Sequence, residues 1–364
     1  MKGMRFVAGT LALLALLVRA EAADVRTIKH SQMLTPPPGQ TFTHFARNVA
    51  IDGPYLIVLA THDAGQSALL YQRNSASREF TYRKTLLTFG SPREHMQVRM
   101  ENGLAVVHFG DRAWIFERIG SFYYLARSAT PLRHPGGVAI SGNRILMGGD
   151  NCSYDGVVYE KRADGLWAIA GGMNDNQGQC HAEGQAVALG GDLPLTQVAM
   201  DSWVNAWRRN GTALDWILDG GMSANLHGPD VRRVSLHNLT AVMPGSAVLR
   251  REGDTWTHQG YATPVDPDAG PSSDVVYRDG VLLTKHFWRL PGRAKPYAFL
   301  ETAPGQFEHV AILETEHNTI DHDISGRTVV AALQGYGDEQ QAVVFELTEP
   351  LVAPPALAND FESR

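Results

Sequence analysis

Charge is scarce in this chain. Only 19% of its 364 residues are Asp, Glu, Lys or Arg, and no run of five or six like charges occurs. That excludes a polybasic face for nucleic acid or anionic lipid. Cysteine is nearly absent, with Cys152 and Cys180 alone, too few for a disulfide-dense mini-fold or for paired C-x-x-C metal clusters. No stretch reaches the ~20 apolar residues that a membrane-spanning helix needs. Helical periodicity is nowhere sustained, which sets aside the all-α and α/β classes. The serine-hydrolase elbow, the S-x-x-K pair, the phosphate-binding glycine loop and H-E-x-x-H are all missing.

What is present can build a core. Hydrophobic residues make up 44% of the chain, and 36 Gly with 19 Pro indicate many turns. Residues 1–22 read as a secretory signal peptide. Lys2 and Arg5 precede the apolar run from Phe6 to Val18, and Ala20-Glu21-Ala22 is a small-x-small cleavage site. The mature protein is therefore expected in the periplasm or outside the cell. In that oxidising setting Cys152 and Cys180 are expected to form a disulfide, closing a loop of about 28 residues and contributing about 3–4 kcal/mol.

A degenerate repeat runs through the rest. Val49-Ala50-Ile51-Asp52-Gly53 recurs as Val138-Ala139-Ile140-Ser141-Gly142 and Val187-Ala188-Leu189-Gly190-Gly191. Weaker copies start near residues 98, 234, 276 and 322. Each start precedes further short strands divided by turn signals, as in YLIVLA (55–60), ALLYQR (68–73) and FTYRKTL (80–86). Four strands per ~45 residues is the pattern of a β-propeller blade. The expected fold is all-β: a seven-bladed β-propeller over residues 23–350, with four-stranded blades. Residues 27–34 would supply the missing outer strand of the last blade and close the ring. Residues 351–364 read as a disordered C-terminal tail.

The unit from Val138-Ala139-Ile140-Ser141-Gly142 through Gly148-Gly149-Asp150 and Asp155-Gly156-Val157-Val158-Tyr159 to Gly165-Leu166-Trp167 resembles the FG-GAP, or integrin-α-like, repeats of secreted bacterial propellers. The resemblance implies an adhesive or ligand-binding surface and, in some members, calcium loops. Here Cys152 and Tyr154 stand where such a loop needs oxygen ligands.

Mapped onto blades, the loops between second and third strands share one face. They carry His62, Asp63, His108, Asp111, Asp150, Asp201, Trp203, His286, Trp288 and Tyr336, which are the candidate binding residues. The recurring Asp residues equally suit turns that bond their own loop. His317, Asp321, His322 and Asp323 are the densest group of metal-capable side chains and the candidate site for a divalent metal, the one cofactor considered. The expected function is a monomeric binding module for a glycan or a cell-envelope or surface protein. The alternative is a hydrolase or lyase using His and Asp on that rim. No nucleic-acid partner and no membrane span beyond the signal are expected.

Overall fold

The computed structural model describes residues 25–90, 96–109, 112–129, 134–150, 156–173, 186–197, 203–210, 215–223, 233–288, 294–335 and 340–347. Among these the regular structure is β, apart from one short 3₁₀ turn at Pro244–Ser246. No helix among them is long and apolar enough to cross a membrane.

The local chemistry is that of tight hairpins. At Asn102-Gly103 both residues have positive φ (51° and 80°), as do Asp279-Gly280 (52° and 76°). That conformation matches the twist of the flanking strands. Consecutive strands therefore fold back as antiparallel meanders. One runs His44–Asp52, Tyr55–His62, Gly65–Arg73, Phe80–Phe89, and the next runs Met96–Glu101, Leu104–Phe109, Arg112–Ile119, Phe122–Ala129. The segments His134–Met173 and Val187–Ser223 form two further meanders. Their last strands meet in parallel at Gly172–Met173 and Asp215–Trp216, which makes one eight-stranded sheet. Its two end strands, His134–Ser141 and Val187–Gly190, lie side by side. Ser235–Tyr261 and Ala269–Leu313 form the next two sheets, and Asn318–Glu346 the last.

The stretch expected to close the ring divides in two. Gln32–Met33 pairs antiparallel with Gln340–Glu346 and gives the last sheet its fourth strand. Arg26–Ile28 instead adds in parallel to Gln306–Leu313, as a fifth strand on the preceding sheet. The hydrophobic core lies between sheets. Val330, Ala332, Ala342 and Val344 of the last sheet pack on Val49, Ile51, Leu56 and Val58 of the first. The opposite face of the first sheet, with Ile57 and Leu59, packs on Val98, Val107 and Phe109 of the second. Both faces are covered, so Tyr55–Thr61 is buried throughout and reads as a continuous apolar run.

Gly65 marks the tightest approach. Its φ is 141°, and a Cβ there would stand 1.9 Å from the Phe89 carbonyl oxygen. Gly65→Ala should cost about 2–3 kcal/mol, read as a lower urea midpoint at unchanged slope.

Candidate functional site

The first strands of successive meanders converge by their C-terminal ends. Asp52, Glu101, Ile140, Leu189, His237, Arg278 and Ser325 all border one cavity of about 370 Å³. These strands are otherwise apolar, yet they or their flanks bring in Arg99, Glu101, Arg233, Asp274, Arg278, Asp321 and Asp323.

Two of the arginines span the convergence. Arg278 Nη2 donates to Asp52 Oδ1 at 3.0 Å. Its Nη1 donates to the carbonyls of Ile51 and Met100 at 3.1 and 3.2 Å. Arg233 Nη1 donates to the His322 carbonyl at 2.8 Å and Nη2 to Asp321 Oδ1 at 3.0 Å. Its Nε lies 3.7 Å from Asp274 Oδ1. Burial works against the Asp274 carboxylate, but Arg233, His322, Lys285 and Arg99 outweigh it and hold its pKa at about 2.

Arg99 is different. Its one hydrogen bond among the described residues runs from Nη1 to the Val98 carbonyl at 2.7 Å. Burial, with Arg233 nearby, brings its pKa down to about 10 against the pull of Asp321, Asp323 and Asp274. Two residues on, burial pushes Glu101 up to about 7 despite Arg278 and the Gly142 N–H. The cavity thus holds a guanidinium with one hydrogen bond among the described residues and a carboxyl whose pKa is pushed up to about 7.

Of the residues expected to bind metal, Asp321 and Asp323 accept backbone hydrogen bonds. The four sit on the strand Asn318–Ser325 rather than in a loop, except His317 just before it. Alternation puts Asp321, Asp323 and Ser325 on one face, where they accept the N–H groups of Val49 (2.9 Å), Ile51 (3.0 Å) and Gly53 (2.9 Å). This ladder ties the last sheet to the first. His322 points the other way, with Nδ1 3.8 Å from Asp274 Oδ2. Among the described residues no three His, Cys, Asp or Glu side chains are grouped to hold a metal ion.

The expected rim residues do not come together as one described cluster. His62 Nε2 lies 3.1 Å from Ser67 Oγ, and Asp63 is exposed in the turn that follows. His108 is buried inside Leu104–Phe109. His286 is buried, with Nδ1 donating to the Gly270 carbonyl at 2.6 Å and Nε2 3.5 Å from the equally buried Ser246 Oγ. Asp150, Trp203 and Trp288 stand at strand ends. Asp111, Asp201, Tyr336, Cys152 and Cys180 lie outside the described residues. Arg99, Glu101, Arg233 and Arg278 were missed because they stand in or beside weak copies of the repeat. Their signal is a charge inside an otherwise apolar strand, as in Val98-Arg99-Met100-Glu101 and Val276-Tyr277-Arg278-Asp279.

No family model and no curated protein matches the sequence. Solved structures do. A chain of a mitotic checkpoint complex structure is similar at 11% identity, covering 95% of this chain and all of that one, with a TM-score of 0.57. Saccharomyces cerevisiae Sqt1 is similar at 12% identity, covering 89% of this chain and all of Sqt1, with a TM-score of 0.51. The WD40 domain of Toxoplasma gondii coronin is similar at 10% identity, covering 91% of this chain and 90% of that domain, with a TM-score of 0.49. At these identities the likeness is one of fold, and the fold is a β-propeller.

Proposed function

We propose that the chain is a seven-bladed β-propeller acting as a binding module, with a glycan as its ligand at the cavity bordered by Asp52, Glu101, Arg278 and Asp279. Seven is the number of blades when the eight-stranded sheet is counted as two blades joined at their outer strands. The observation that carries the ligand class is Arg99. It borders the cavity with most of its donors unused among the described residues, beside carboxylates that accept. Sugar hydroxyls both donate and accept, and a guanidinium next to carboxylates suits vicinal pairs of them. In this reading residues 1–22 direct secretion and Cys152 is joined to Cys180. An intact mass of the exported chain starting at Ala23 and lacking two hydrogens is the expected result.

The test is a glycan array with the labelled mature protein, then calorimetry on its hits with Arg99→Ala. Binding should weaken about tenfold or more. Thermal stability should hold or rise, because a guanidinium without a direct ion pair is costly to enclose. An array without hits, or Arg99→Ala binding as tightly as the parent, would overturn the glycan. Capture of an envelope protein at the same cavity would replace it.

A further inference from the structure

The outer edges of the sheets are treated unequally. Arg26–Ile28 covers the outer strand Gln306–Leu313, and Gln32–Met33 covers Gln340–Glu346. Gln32 also brackets the start of Phe80–Phe89. Its Nε2 donates to the Phe80 carbonyl and its Oε1 accepts the Phe80 N–H, both at 2.8 Å. The two outer strands of the eight-stranded sheet meet each other. Among the described residues no strand pairs with the outer edge of Thr255–Tyr261 or of Phe122–Ala129. The first of these is mostly polar, TWTHQGY. The second is not. Phe122 and Tyr124 are each 52% exposed, Leu125 56%, and Ile119 at the end of the preceding strand 66%.

An open strand edge offers unpaired N–H and C=O groups, and proteins usually guard such edges with charge or cover. Here the apolar residues sit on the edge and the charges flank it with one sign. Lys84 Nζ lies 6.0 Å from the Tyr124 ring centre and donates to the Tyr123 carbonyl at 3.1 Å. Arg118 stands opposite Tyr123 in the sheet and lies over Tyr55. Arg127 follows on the edge strand and lies over Tyr159. None of the three has a carboxylate partner among the described residues. The carboxylate close by, Glu117, is engaged by Lys161 Nζ at 2.6 Å and by the Trp167 indole N–H. In a chain of net charge −6, Lys84 and Arg118 are cations without a carboxylate partner among the described residues, beside exposed aromatic side chains, while Arg127 donates to the Trp167 carbonyl.

We propose that Phe122–Ala129 is a docking edge for an extended partner segment of alternating apolar and acidic residues. The segment adds to this sheet as a further strand. Its backbone pairs with the edge groups that Lys84 leaves open, its apolar side chains cover Phe122 and Tyr124, and its carboxylates, on the opposite face, meet Lys84 and Arg118. Main-chain pairing supplies affinity in this mode, and the alternate side chains supply specificity. The hydrogen-bonding edge favours such a strand over a lipid surface, which has no use for backbone groups.

The test uses the full chain and fluorescent peptides of about eight residues, long enough for one strand. One alternates valine and glutamate, a second valine and lysine, and a third is the glutamate peptide N-methylated at alternate amides. The glutamate peptide should bind, and the other two should bind at least about tenfold more weakly. Tyr124→Glu and Arg118→Glu, both at exposed positions, should each weaken the glutamate peptide by about tenfold while the far-UV spectrum and Tm stay at parent values. Equal binding of the lysine peptide would overturn the charge argument, and equal binding of the methylated one would overturn strand addition. Absence of glutamate-peptide binding overturns the proposal. So does a concentration-dependent dimer, or binding to anionic vesicles, that Tyr124→Glu abolishes, since a second copy or a membrane would then be the occupant.

Discussion

Arg233→Met is expected to lower the unfolding free energy by about 3–5 kcal/mol, measured by urea titration at neutral pH. The side chain is buried and reaches two other strands, through Asp274, Asp321 and the His322 carbonyl. Removing it leaves two enclosed carboxylates whose remaining basic neighbours are Lys285, 3.8 Å from Asp274, His322 and Arg99. The cost comes from those stranded charges more than from the lost ion pair. A triple variant, Arg233→Met with Asp274→Asn and Asp321→Asn, should recover most of the loss, because neutral amides can still accept the Val49 N–H without an uncompensated charge. A single variant within about 0.5 kcal/mol of the parent would mean that the network does not hold the ring.

Acidification should destabilise the parent in a defined window, and Glu101→Gln should make the fall about twice as steep. Burial brings both His286 and His322 down to about 4, against an ordinary value of 6.5. A folded state that binds fewer protons than the unfolded chain loses stability as pH falls. Each histidine's contribution is therefore complete above pH 6.5 and is lost toward pH 4, roughly 3 kcal/mol apiece. Asp274, Arg233, Asp321 and Lys285 surround His322, and His309 and Asp266 stand near His286. Glu101 has the opposite sign. Its folded value of about 7 lies above the ordinary 4.5, so the folded state gains roughly 3 kcal/mol as pH falls through that interval. The three together give a net loss of roughly 3 kcal/mol between pH 6.5 and 4. Glu101→Gln removes the offset and should also raise stability at pH 8. His322→Gln should flatten the acid limb. The measurement is the urea midpoint at half-unit pH steps, and an acid limb unchanged in Glu101→Gln would refute this account.

The strand rhythm of this protein is written in local chemistry. Alternation, short apolar runs and turn pairs such as Asn102-Gly103 and Asp279-Gly280 specify hairpins, because those residues accept positive φ at little cost. For that reason the meanders follow the repeat from Val49 onward. The role of Asp321 and Asp323 is not local. Read along the chain they look like ligands beside His317 and His322. Only the neighbouring strand from His44 to Asp52, 272 positions away, turns them into acceptors of backbone N–H groups. The same holds for residues 27–34, whose strand character is local while their partners are chosen by where the ring ends.

Composition, periodicity and turn residues were enough to say all-β and repeated, since each depends on neighbours a few positions apart. The tertiary structure alone decided which charges share a cavity, which edges stay open among the described residues, and that Arg99, Arg233 and Arg278 meet although 179 positions separate the first from the last. Charge and desolvation act through space and are set by which strands converge, and no short window of sequence contains that information.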